Sequence, residues 1–206
     1  MLAQQGGPGK TTLSIHLAVE STLASLKTVI VDSDPQASAS TWWRRRDAED
    51  PALVQAQQAT LADVLSKAST LGYELAIIDT APHSSDMARE AVRLSDRVVI
   101  PTRPAILDLD AIGASTSLVS EADLPAQIVL NACPPPGRYG EPRIVSEARE
   151  ALSAYGVSVC PVAVSQRAAL SHALIDGRSV SEFDPTGKAS AEIKQLWDTI
   201  RQESGL

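Results

Sequence analysis

Gly6-Gly7-Pro8-Gly9-Lys10-Thr11-Thr12 stands near the head of the sequence and runs directly into a helical pattern over Lys10–Leu23. Glycines let a backbone wrap closely around an anion, so that its N–H groups point at phosphate oxygens. The start of the following helix adds a positive dipole end at the same place. In such a loop Lys10 is expected to reach the β- and γ-phosphates and the Thr11 hydroxyl to ligate Mg²⁺. A Gly-rich turn before an ordinary helix is the plainer reading, and Gly-Lys-Thr at a helix start weighs against it. Pro8 has no N–H, so one possible phosphate donor is missing.

Outward from the loop, short apolar, β-branched runs alternate with helical patterns. Strands are expected at Thr28–Asp32, Leu75–Asp79, 97–101, 127–131 and 157–164, with 52–56 as an edge strand. The runs are continuous rather than alternating, as strands covered on both faces are. Helices are expected at 60–71, 85–95, 107–121, 144–155 and 187–203. Repeated strand–helix–strand order predicts an α/β fold, a doubly wound, mostly parallel sheet with helices on both faces. Three strands end in Asp32, Asp79 and Asn131, which should converge at the carboxyl edge where such sheets bind ligands.

Composition agrees. The 206 residues are 44% hydrophobic, with three Trp, three Tyr and one Phe, so Ala, Val, Leu and Ile must build the core. That length suits one domain over residues 1–206. The apolar fraction excludes a disordered chain, and two cysteines exclude a disulfide scaffold. A net charge of −7 gives no overall field for nucleic acid, so any such contact needs a local basic patch. Apolar runs fall far short of the ~20 residues of a membrane span, and a cytoplasmic protein is expected.

Further acidic positions complete the pattern of a phosphate-loop nucleotidase. Asp32 and Asp34 lie at a strand end in Val31-Asp32-Ser33-Asp34-Pro35-Gln36, and Asp79 closes Ile77-Ile78-Asp79. A carboxylate after a hydrophobic strand holds Mg²⁺ through water, and one near the γ-phosphate orients the attacking water. Either Asp alone could cap a strand end.

Taken together, these motifs resemble those of the ParA/MinD group of P-loop ATPases, ParA partition proteins most of all. Gly6 to Thr12 matches its deviant Walker A motif, Asp32-Ser33-Asp34-Pro35-Gln36 its switch I, and Asp79-Thr80-Ala81-Pro82 its switch II. The resemblance implies that Gly6, Gly7, Pro8, Gly9, Lys10, Thr11 and Thr12 hold the triphosphate of ATP. It implies that Thr11 binds Mg²⁺ directly, with Asp79 behind a water and Asp32 supporting the shell. Asp34 is the water-positioning residue, and Asn131 lies beside adenine. It further implies an ATP-closed homodimer that binds DNA non-specifically, and so joins the nucleoid, until a ParB-type adaptor stimulates hydrolysis.

Two departures stand out. The family's lysine before the Gly-Gly pair, which reaches the partner subunit's phosphates, falls on Gln5. Losing a charge-assisted hydrogen bond of about 1.5–3 kcal/mol predicts weakened hydrolysis and weaker dimerisation. Only Met1 to Gln4 precede that position, a thin first strand.

The remaining signals leave alternatives open. Arg44-Arg45-Arg46 after Trp42-Trp43 reads as a solvated helix end more readily than as a DNA contact. Arg167, Arg178 and Lys188 are DNA contacts or scattered surface charges. Ile193, Leu196, Trp197 and Ile200 form one stripe on a last helix whose other face mixes charges, which suits docking onto the domain better than a membrane. His16, His83 and His172 have no metal-ligand spacing. The reading is therefore an ATPase in plasmid or chromosome partition. The alternatives are a relative that positions a protein cargo with little hydrolysis, or a MinD-like membrane-associated regulator.

Overall fold

The computed structural model describes residues 1, 7–81, 85–105, 108–109, 112–138 and 140–205. Six strands are present among them: β1 (Thr28–Asp32), β2 (Ala52–Gln55), β3 (Leu75–Asp79), β4 (Val98–Thr102), β5 (Ala126–Leu130) and β6 (Ser158–Val159). They pair as two three-stranded sheets, β2-β1-β3 and β4-β5-β6. Every ladder is parallel. The helices are α1 (Lys10–Leu23), α2 (Ser38–Trp43), α3 (Leu61–Thr70), α4 (Ser85–Arg93) and α5 (Gly113–Glu121). They continue as α6 (Arg143–Leu152), α7 (Ala168–Ala173), α8 (Val180–Phe183) and α9 (Lys188–Ser204).

Helices cover both faces, as the continuous apolar strands require. On one face Ile30, Leu53 and Ile77 pack with Ile15, Val19 and Trp42 of α1 and α2. Val129 and Val99 on the same face meet α1 and α9. Neighbouring residues point the other way. Val31 and Ile78 pack under α3 and α4, and Ile100, Ile128 and Leu130 under α4, α5 and α6. Period-two alternation thus feeds two apolar layers from one run. Ile30, Ile100 and Ile128 are fully buried, each such side chain contributing roughly 1.5–3 kcal/mol.

The last helix docks as expected: Ile193, Leu196, Trp197 and Ile200 are all buried, packed with Leu13 and Leu17 of α1. Among the described residues no helix is long and apolar enough to cross a membrane.

Other expectations need correction. The strand expected at 157–164 forms a ladder only over Ser158–Val159. Pro161 has no N–H to continue it. Beyond that proline the chain still follows β5, through Val164 N–H to the Leu130 carbonyl at 2.9 Å. Of the helix expected over 107–121, Asp108 and Leu109 are helical, Ile112 lies in a turn, and α5 takes up the rest from Gly113; Leu107, Asp110 and Ala111 lie outside the described residues. So does the first strand beyond Met1, together with Gln5, Gly6, Pro82 and His83. Two short helices, α7 and α8, were not expected; α2 supplies the helix end expected at 44–46.

The basic run is corrected too. Arg44 and Arg45 are exposed, but the Arg46 side chain is only 5% exposed and ion-paired to Glu182 at 2.7 Å. It also lies over the Trp42 ring at 5.2 Å. The stretch is in part a packing element and not simply a solvated helix end.

Candidate active site

The carboxyl ends of the strands meet the start of α1, where Gly9 occupies the N-cap position in the left-handed region (φ 89°). No side chain caps this helix start among the described residues, so its first N–H groups are left to a ligand. Gly7 also has positive φ, 103°. A Cβ at Gly9 would run into the Asn131 amide, so glycine is needed here for space as well as for conformation.

Lys10 is buried at the first turn of α1. Burial pushes its ammonium below the usual lysine range, and the nearby Asp79 and Asp34 carboxylates pull the other way. Ser14, one turn further on, donates to Asp79 Oδ1 at 3.1 Å. Burial pushes the Asp79 carboxyl up, opposed by hydrogen bonds from Thr11 and Ser14. Asp79 Oδ2 is buried with no hydrogen-bond partner among the described residues. An orphaned carboxylate oxygen beside a threonine hydroxyl and a lysine is what a hydrated divalent cation would satisfy, so the residues present fit Mg²⁺.

The ends of β1 and β3 are tied together. Ser33 donates through its N–H (2.9 Å) and hydroxyl (2.7 Å) to the Asp79 carbonyl. Asp32 Oδ2 accepts from Ser40 N–H (2.9 Å) and Ser40 Oγ (2.6 Å), and Oδ1 from Asp34 N–H (3.2 Å). Asp32 therefore organises the turn into α2. Asp34, half-buried, accepts from Gln36 N–H at 2.8 Å and stands near enough to act on Lys10. A cavity of 890 Å³ opens here, bounded by Asp32, Asp34, Gln55 and Met87. Asn131, also buried, donates to the Pro8 carbonyl at 2.7 Å.

Lys10, Asp32, Asp34, Asp79, Asn131 and the described loop residues are thus brought together, as the sequence led one to expect. Sequence reasoning missed Ser14, Ser33, Ser40 and Arg103. Ser14 could have been found from its spacing of four from Lys10, which places both on one helix face. Arg167 is held by Glu192 at 2.7 Å and Arg178 by Asp176 at 2.6 Å.

A phosphate-binding loop before an uncapped helix, on parallel sheets wrapped by helices, defines a nucleotide-binding α/β protein of the P-loop class. Residues 1–180 match the CobQ/CobB/MinD/ParA nucleotide binding domain, and the chain belongs to that family. The maintenance of carboxysome distribution protein A of Gloeobacter kilaueensis is 30% identical over 207 residues, covering 98% of this chain and 91% of that protein. Protein IncC of Escherichia coli is 24% identical, covering 96% and 67%. The fold is similar to that of the cell division ATPase MinD of Pyrococcus furiosus, with a TM-score of 0.78 at 18% identity, covering 98% and 96%. The chain is a ParA/MinD-family ATPase.

Proposed function

We propose that this protein is a Mg²⁺-dependent ATPase of plasmid or chromosome partition, acting as an ATP-gated homodimer that binds DNA non-specifically and answers to a ParB-type adaptor. The observation that carries the reading is the meeting of Lys10, Thr11 and Asp79 at a helix start where, among the described residues, no side chain caps the helix and Asp79 Oδ2 has no partner. Curated relatives named IncC and ParA support the cellular role.

In the proposed reaction Lys10 and the loop amides hold the triphosphate and stabilise charge developing on the transferred phosphoryl group. Thr11 and Asp79, the latter through its unpartnered oxygen, are the residues that would hold Mg²⁺. The metal would neutralise charge on the β- and γ-oxygens. Asp34 orients the water for in-line attack, while Asp32 fixes the turn that carries Asp34 and supports the metal shell from one remaining lone pair. Asn131, its Nδ2 on the Pro8 carbonyl, keeps its amide oxygen for the base.

Binding to random double-stranded DNA at low salt, with ATP, ADP or no nucleotide, tests this. Binding only with ATP is expected. DNA binding that ignores nucleotide, or is absent even in the Gln5→Lys variant, would overturn the partition role.

A second reading has its own support. The relative at 30% identity is named for carboxysome distribution, and Gln5 lacks the charge associated with fast turnover. A protein cargo, held with little hydrolysis, would replace the replicon. It predicts slow turnover that Gln5→Lys raises. The membrane-regulator reading gains nothing, since the apolar stripe of α9 is spent inside the fold.

A further inference from the structure

Two side chains reach the phosphate loop from the second sheet. Arg103, the first residue past β4, donates through Nε (3.0 Å) and Nη2 to the Gly7 carbonyl. Asn131, the first past β5, takes the next carbonyl, that of Pro8. The position a Gly7 Cβ would occupy is filled by the Arg103 guanidinium, so loop and arginine are shaped to each other.

The charges at this corner are unbalanced. Asp32, Asp34 and Asp79 gather at the strand ends, against Lys10 and the Met1 ammonium, which donates to the Ile78 carbonyl at 2.8 Å. The sequence has Gln5 in place of a lysine, and Pro8 offers no amide. Bringing a polyphosphate to three carboxylates calls for positive charge beyond these two ammonium groups and a bound Mg²⁺. A guanidinium is always charged and presents five donors in a rigid fork. Two groups of the fork hold Gly7, and Nη1 has no hydrogen bond among the described residues.

We propose that Arg103 is a positioning residue of the phosphate site: it holds the Gly7 carbonyl and supplies a further positive charge beside the polyphosphate. It restores in charge what Gln5 lacks, from the end of β4. The inference rests on the loop being an ATP site.

The test is nucleotide affinity by calorimetry for wild type, Arg103→Ala, Arg103→Gln and Arg103→Lys, each checked for an unchanged thermal midpoint. The Ala and Gln variants are expected to weaken ATP about tenfold or more, ADP less, and adenosine not at all, because the lost attraction scales with phosphate charge. Arg103→Lys keeps the charge but not the two-donor grip on the Gly7 carbonyl, and should fall between wild type and the alanine variant. In single-turnover assays at saturating ATP the same ranking is expected. An Arg103→Ala variant that binds ATP like wild type overturns the inference, as does an Arg103→Lys variant as weak as the alanine one. Wild-type protein that binds no ATP would overturn the nucleotide reading together with it. Retained wild-type binding with no effect of Arg103 would overturn this inference alone.

Discussion

The phosphate-loop corner and the C-terminal stretch that grips α2 lie on either side of α1, and they treat polar groups in opposite ways. At the loop, among the described residues, the helix start is uncapped and Asp79 Oδ2 has no partner. Across α1, the polar groups of Trp42, Arg46, His16 and Glu20 are matched, although Trp197 Nε1 of α9 has no partner among the described residues. Trp42 Nε1 donates to the Arg178 carbonyl at 3.1 Å, and Arg46 Nη1 to the Gly177 carbonyl at 3.0 Å and to Glu182 at 2.9 Å. His16 uses both ring nitrogens: Nδ1 accepts from Val180 N–H and Nε2 donates to the Leu170 carbonyl, both at 3.2 Å. Buried Glu20 meets Ser181. A corner that leaves groups unsatisfied is reserved for a ligand, and one that satisfies them holds the fold.

That contrast can be broken by substitution. Lys10→Ala should abolish measurable ATP binding, a loss of about a hundredfold or more, with little change in thermal midpoint. A large fall in midpoint would make Lys10 structural and erase the distinction.

His16 offers the reverse experiment through pH. Burial holds its pKa at about 4, against 6.5 for an ordinary histidine. The folded state therefore binds fewer protons than the unfolded one between these values. Its stabilising contribution is complete above pH 6.5 and is lost as pH falls through about 4, on the order of 3 kcal/mol. Urea denaturation from pH 7 to 4 should show the loss, and His16→Gln should flatten it. An equal slope in the variant would assign the effect to other groups.

Arg46→Ala removes one partner of a mostly buried pair and should cost about 2 kcal/mol, discounted for the quarter exposure of Glu182. ATP affinity should hold within about twofold, as measured alongside. Trp42→Phe deletes the hydrogen bond to Arg178 and leaves part of the buried indole's space empty under Arg46, and should cost about 1–3 kcal/mol.

The two regions also differ in how well the sequence discloses them. The loop is contiguous, and its chemistry requires particular residue types at fixed spacing. Thr28–Asp32, Leu75–Asp79 and Lys10–Leu23 were readable to the residue, because strong periodicity is bounded by polar ends. The grip on α2 joins residues more than 130 positions apart through backbone carbonyls, which carry no side-chain signature. α2 and α8 are six and four residues long, too short for a helical period to stand out. One local cue existed: Ser179 and Glu182 form a capping box at the start of α8. Arg103 and Asn131 show the same asymmetry. Each follows a legible strand, but only the fold aims both at consecutive carbonyls of the loop.

α2 is anchored at both ends, by Asp32 on Ser40 toward the nucleotide corner and by Gly177 and Arg178 on Arg46 and Trp42 at the far side. A helix of six residues is a strut about 9 Å long with almost no slack. Linkage makes such a strut reciprocal. If ATP at Asp34 favours one seating of α2, a molecule that grips the Ile175–Phe183 surface and favours the same seating must tighten ATP by the same factor that ATP tightens it. Neither end of the strut commands the other.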